Sequence, residues 1–193
     1  TVGRAAHGSR PWEGESAIFR MAEVIRVLRD QVLPGIISRR HPLVGRAAMN
    51  IGLIQGGASV NIVPDRCTLW LERRLLPGED PHEGMEAVNS QLREILGSQW
   101  LQFEAPTSWN RPLETAEEAD VTCALRQALL AEGLSGVSTG VSYGSDANRF
   151  AEANVPCLVF GPGDIAQAHT NQEWVDLRQV AMAARVLEGV VRH

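Results

Sequence analysis

Residues 47–78, AAMNIGLIQGGASVNIVPDRCTLWLERRLLPG, decide the fold. Met49, Ile51 and Leu53 alternate against Asn50, Gly52 and Gln55 towards the end of a strand over 47–55, and Gly56-Gly57 closes it. Val60 to Val63 is a short extended piece stopped by Pro64-Asp65. Over residues 66–75, Cys67, Leu69 and Leu71 alternate with Thr68, Trp70 and Glu72, a second strand that Leu76-Pro77-Gly78 breaks. Upstream, Ile18, Met21, Ala22, Ile25, Leu28 and Val32 recur at helical spacing over 16–33. Ser16 is the N-cap and Pro34-Gly35 the stop. Downstream, Met85, Val88, Leu92 and Ile95 make one stripe of a helix over 82–96, and Trp100 to Phe103 begins another strand. The opening, Thr1 to Gly8, reads as the end of a strand entering a glycine turn. Residues 1–106 thus read β-α-β-β-α-β, the order of a ferredoxin-like sandwich. A start in mid-strand carries the expectation that more chain precedes Thr1.

Pro106 to Pro112 reads as a linker, and the character changes after it. Thr115-x-x-Glu118 is a capping box for a helix reaching about Glu132. Val137 to Tyr143 is a predicted strand and 146–153 a short helix. Pro156 to Phe160 is an apolar run fit for a buried parallel strand, and 175–191 a closing helix. Residues 107–193 therefore read as part of an α/β domain, with few strands for a sheet covered on both faces.

Bulk composition narrows the function. Hydrophobic residues at 44% and charged residues at 21% are ordinary for a globular chain. A net charge of −5 without a long basic block argues against nucleic acid as partner. No apolar run has the length of a membrane span, and no secretory leader is legible at Thr1. Cys67, Cys123 and Cys157 are odd in number and widely spaced. Reduced thiols in a cytoplasmic protein are the expectation, rather than disulfides or a paired-cysteine metal site.

Among five histidines, His41, His82 and His193 carry weak local signals. His169 follows a buried run ending in Gly161-Pro162-Gly163, with carboxylates nearby. Ligands in open α/β folds gather at the carboxyl ends of strands, and a neutral imidazole there suits zinc. It equally suits a loop histidine satisfied by its neighbours, because one ligand does not make a zinc site. Gly144-Ser145-Asp146 joins a strand to a helix: its amides could hold an anion, or Ser145 or Asp146 simply caps the helix. His7 lies in a polar turn, able to reach a substrate or only the backbone. Asn61 and Arg74 lie beside strand segments, and arginine can grip a carboxylate with two parallel hydrogen bonds.

Together these segments resemble the zinc-dependent acetylornithine deacetylases, succinyl-diaminopimelate desuccinylases, aminoacylases and glutamate carboxypeptidases. The matching stretches are Gly3 to Pro11, Gly56-Gly57 with Asn61 to Asp65, Arg74 to Gly78, Gly144 to Ala147, and Gly161-Pro162-Gly163 with Ala168-His169 and Glu173-Trp174-Val175. They stand in the family's order along nearly the whole chain. The resemblance implies a lid and dimerisation domain over 1–106 and the C-terminal portion of a catalytic domain over 107–193. It implies that His169 is the last zinc ligand and that His7 reaches across a homodimer to polarise the scissile carbonyl. Asn61 and Arg74 are implied to bind the substrate α-carboxylate, while Gly144 and Ser145 line its pocket. The implied reaction is hydrolysis of N-acyl amino acids or small peptides, assisted by two zinc ions. Here the sequence departs from the family. The remaining ligands and the glutamate base normally precede the lid, and neither Glu79-Asp80 nor Glu117-Glu118 replaces them. The expectation is a truncated, inactive fragment of such a hydrolase. The alternative is a non-catalytic module for dimerisation or small-molecule binding.

Overall fold

The computed structural model describes residues 1–192 and divides the chain into two compact units, Thr1–Pro112 and Leu113–His193. The chain mixes helices and strands, as the sequence reading expects, with the strands confined among the described residues to the first unit.

In the first unit, Ser16 caps helix α1 (Ala17–Val27), its hydroxyl accepting from the Phe19 amide at 3.3 Å. Ala17, Met21, Val24 and Val27 form the buried stripe. The expected stop at Pro34-Gly35 does not occur. A π-helical turn over Leu28–Val32 carries the chain into α2 (Leu33–Ile37), and Leu33 donates to the Leu28 carbonyl five residues back. Proline lacks an amide proton and its ring crowds the carbonyl four residues before it. The wider turn just ahead of Pro34 relieves that crowding, so the helix continues and buries Ile36.

Two short strands follow, β2 (Arg40–His41) and β3 (Gly45–Arg46), then the long β4 (Ala48–Gly56). After β5 (Ile62–Val63) comes β6 (Cys67–Arg74), antiparallel to β4 from Ala48↔Arg74 to Gly56↔Cys67. A bulge at Gly52 shifts the register between Ile51↔Leu71 and Leu53↔Trp70. The alternation therefore holds only as far as the bulge. Met49 and Ile51 pack on the core, whereas Leu53 and Ile54 are both exposed. Helix α3 (Pro81–Leu96) adds Val88 and Leu92 to a core centred on Leu28, Val27 and Cys67.

The closing strand of the ferredoxin-like order is not formed. Residues 100–103 send Trp100, Leu101 and Phe103 against the core, but as irregular chain. The Trp100 carbonyl accepts from Val2 at 2.9 Å, and β4 and β6 are already paired with each other. One hydrogen bond is not a ladder. Among the described residues the sheets are three two-stranded pairs, β1 (Ala6–His7) with β5, β2 with β3, and β4 with β6.

Asp80 caps α3, accepting from the His82 and Glu83 amides at 2.9 and 3.3 Å and pairing with Arg111 at 2.9 Å. Desolvation pushes its carboxyl up, but the two amide hydrogen bonds and Arg111 outweigh it and hold the pKa below the usual carboxylate value. A depressed folded pKa means stabilisation that is complete above the unfolded value and lost as pH falls through the folded one. Asp80→Asn should therefore be less stable than the parent at neutral pH, with the gap closing on acidification. Urea midpoints of the two proteins across the acid range measure this, and a gap independent of pH would count against it.

The second unit holds α4 (Asp120–Ala131), α5 (Ala147–Glu152) and α6 (Leu177–Val191). Ala128 and Val186 are buried, and a Cβ on Gly189 would stand 3.0 Å from that of Ala128, so glycine allows close approach of α4 and α6. Arg185 pairs with Glu132 at 2.7 Å. Helix α4 begins later than the Thr115 capping box implies, with no side-chain cap at Ala119. The Thr115 hydroxyl donates instead to the Cys157 carbonyl and accepts from the Cys157 amide at 3.3 Å. The strands expected over 137–143 and 156–160 are absent. An extended segment becomes a strand only beside another that completes its ladder, and here the Cys157 backbone is served by a side chain.

Candidate active site

The β1–β5 pair brings together two of the expected site residues. His7 stands opposite Ile62, and the Gly8 amide donates to the Asn61 carbonyl at 2.7 Å. A Cβ on Gly8 would sit 2.9 Å from that carbonyl, so only glycine permits the approach. His7 and Asn61 thus become exposed neighbours although far apart in sequence. His7 Nδ1 lies 2.7 Å from the Ser9 hydroxyl and accepts from the Ser9 amide at 3.2 Å. The Asn61 side-chain oxygen accepts from the Ser59 hydroxyl at 2.6 Å.

Arg74 does not join this pair. It ends β6 opposite Ala48, exposed and ion-paired with Glu72 at 2.8 Å. From Cys67 to Arg74 the strand runs about 23 Å at its usual rise per residue. The preceding residue, which sequence reasoning did not single out, is the buried one. Arg73 donates to the Gly84 carbonyl and to Glu79 at 3.0 Å, and Glu79 also accepts from Arg39 and from the Leu76 amide at 2.7 Å. The Arg73 and Glu79 side chains are 10% and 5% exposed. The Glu79-Asp80 stretch is thus a buried ion-pair partner beside a helix cap. Period-two alternation around Arg73 was the available signal, since it puts adjacent arginines on opposite faces.

In the second unit, His169 is exposed and holds a left-handed backbone, φ 60°. Its amide donates to the Glu173 carboxylate at 3.0 Å, and the Thr170 hydroxyl donates to the Gln167 carbonyl at 2.9 Å. Such a backbone at a residue other than glycine is costly and is held by its surroundings. Glu173 supplies that hold, which accounts for the spacing of His169 and Glu173. Gly144 and Ser145 lie in exposed chain before α5, and the Ser145 carbonyl accepts from Asn148 at 3.3 Å. Asp146 makes no side-chain cap bond. Helix α5 has only six residues, too short for much of a dipole to favour an anion.

Of the other histidines, His41 Nδ1 accepts from Leu43 at 3.3 Å, and His82 packs on Trp109 with ring centroids 5.0 Å apart. His193 lies outside the described residues. Among those described, no group of three or more His, Cys, Asp or Glu side chains could hold a metal ion. Zinc takes about four ligands. The single imidazole of His169 does not fit a zinc ion unaided. No helix among the described residues is long and apolar enough to cross a membrane.

Comparison with known proteins gives a consistent group of likenesses. The family model described as the peptidase dimerisation domain, of the M20 type, matches residues 1–99. An acetylornithine deacetylase of Myxococcus xanthus is 29% identical over 202 residues, covering 99% of this chain and 50% of that protein. A succinyl-diaminopimelate desuccinylase of Corynebacterium glutamicum is 26% identical over 187 residues, covering 96% and 48%. The chain spans about half the length of the curated relatives it matches. Among solved structures, an M20 family metallo-carboxypeptidase of Sulfolobus solfataricus aligns with a TM-score of 0.74 at 14% identity, covering 99% of this chain and 56% of that one. The aminopeptidase PepT of Bacillus cereus aligns at 0.70 and 24%, covering 98% and 48%. At these identities the structural likenesses speak for the fold alone.

Proposed function

We propose, because the chain belongs to the M20 peptidase family through its peptidase dimerisation domain, that it serves a zinc-dependent hydrolase acting on the amide bond of N-acyl amino acids or small peptides. The observation that carries this reading is the β1–β5 pairing, which brings the His7 and Asn61 segments side by side within the dimerisation domain. In this reading residues 1–106 are the lid, through which two copies associate, and 107–193 are the C-terminal portion of the catalytic domain. His7 polarises the scissile carbonyl in the partner subunit's site. Asn61, with Arg74, binds the substrate α-carboxylate. Arg74, at the other end of the lid strand, does so from a separate position. Gly144 and Ser145 line the pocket, and His169 contributes one zinc ligand.

The two zinc ions of this reading need donors beyond those described, so the 193 residues by themselves are inactive, as a fragment of the hydrolase would be. A cytoplasmic location suits the three free thiols. The test is hydrolysis of N-acetylornithine, N-succinyl-diaminopimelate and small peptides by the natural protein that carries these residues, alongside the 193-residue chain. Turnover is expected from the first and not from the second. Titration calorimetry should find zinc binding to the chain no tighter than to a histidine-containing peptide. Tight stoichiometric binding, or turnover by the chain alone, would overturn the inactivity. No turnover by the natural protein on any of these substrates would favour a dimerisation or binding module instead.

Within the same reading, Arg74→Ala in the natural protein should raise KM for an N-acyl amino acid about tenfold or more, the worth of a charge-assisted hydrogen bond. Steady-state kinetics decide this, and an unchanged KM would remove Arg74 from the substrate site.

A further inference from the structure

Each member of the His7–Asn61 pair is gripped by a serine two residues away. The Ser9 amide can only donate, and it points at His7 Nδ1 from 3.2 Å. A ring nitrogen that accepts from an amide carries no proton in the neutral imidazole, so the proton sits on Nε2. The Ser9 hydroxyl, 2.7 Å from the same nitrogen, rotates to donate to it as well. At Asn61 the gripped atom is the side-chain oxygen, 2.6 Å from the Ser59 hydroxyl. An amide oxygen only accepts, so Ser59 donates and the Asn61 NH₂ group is left free to donate elsewhere.

The two serines act in the same sense, each on one of the two side chains. We propose that Ser9 and Ser59 are positioning residues that commit His7 and Asn61 to donating, through Nε2–H and Nδ2–H₂, and so match each of them to an oxygen acceptor of the substrate. This inference rests on the reading of His7 and Asn61 as substrate-facing. An imidazole protonated on Nδ1 would offer a lone pair at Nε2 and repel a carbonyl oxygen. An Asn61 turned about its terminal bond would do the same with its own oxygen. Preset donors need no rearrangement when negative charge develops on the substrate oxygen, which is where such donors act most strongly.

The tautomer is directly observable by long-range proton–nitrogen NMR of the labelled 193-residue chain, at a pH where imidazoles are neutral. His7 is expected to show protonated Nε2 and unprotonated Nδ1. Ser9→Ala, which removes one of two donors to Nδ1, should raise the ratio of the Nδ1–H to the Nε2–H form about two- to tenfold. Ser9→Thr, which keeps the hydroxyl, should restore the parent ratio. Ser59→Ala should shift the Asn61 side-chain amide resonances, and Ser59→Thr should return them. Both serines are exposed, and the remaining amide spectrum reports whether the fold is kept; were it disturbed in an alanine variant, the threonine variant alone decides. An equal mixture of tautomers in the parent, or a ratio indifferent to Ser9→Ala, would overturn the Ser9 role. Unmoved Asn61 resonances would overturn that of Ser59. None of these readings needs substrate or metal, so a failure of the hydrolase reading appears in turnover and leaves them standing.

Discussion

Replacing His7 by alanine in the natural protein should lower kcat for N-acyl amino acid hydrolysis about 10²- to 10³-fold, the usual loss when one preset donor to a developing oxyanion is removed. That corresponds to about 3–4 kcal/mol of the barrier. KM should change little, because the donor acts on charge that appears only in the transition state. Bound zinc should not change, since in this reading His7 acts on the substrate carbonyl and is not a metal ligand. Metal analysis beside kinetics separates the outcomes: lost zinc would assign His7 to the metal, and retained turnover would remove it from the reaction. Mixing His7→Ala with His169→Ala chains adds a sharper test. If His7 serves its partner's site, half of the dimers formed at random from equal amounts are mixed, each mixed dimer has one of its two sites complete, and activity returns to about a quarter of the parent value. Failure to complement would place His7 in its own subunit's chemistry.

Glu79→Ala should destabilise the first unit by about 3–5 kcal/mol, the cost of breaking a buried ion pair from one side. Glu79 is nearly inaccessible and accepts from Arg73, Arg39 and the Leu76 amide. Arg39 is half exposed, and its share is small. Arg73 is the reason for the size. Its Nε is already buried without a hydrogen-bond partner, and without Glu79 its charge has the Gly84 carbonyl as its remaining support. Thermal unfolding of the 193-residue chain should fall by roughly 10 °C or more. Replacing both members together, Arg73→Met with Glu79→Leu, should recover most of the loss, because it removes the stranded charge with its partner. A double variant as unstable as the single would mean that shape rather than charge sets the cost.

The residues explain which parts of this were legible. Ser16 and the spacing of Met21, Val24 and Leu28 announce α1 because capping and periodicity are local. Pro34-Gly35 misleads because the remedy for a proline, a widened turn, leaves no mark in composition. Gly52 hides a bulge inside an alternating run, and its effect on Leu53 and Ile54 depends on the partner strand. Residues 137–143 and 156–160 have strand chemistry, but a strand also needs a neighbour, and local sequence does not say whether one exists. In the candidate site, His7, Asn61 and His169 are singled out by their motifs, and their roles await the experiments above. The nearness of His7 to Asn61, the distance of Arg74 and the grip of Glu173 on His169 are tertiary, and only the folded chain reveals them.

The π-helical turn ahead of Pro34 gives a helix one residue more than a regular spiral would use there. Surplus residue and proline therefore form a linked pair of characters. Deleting one residue from 29–32 would press the proline ring onto a carbonyl, while replacing Pro34 alone would remove the reason for the wide turn. A lineage that loses one of them is under pressure to lose the other, so length and residue identity at this place should change together among descendants of this gene.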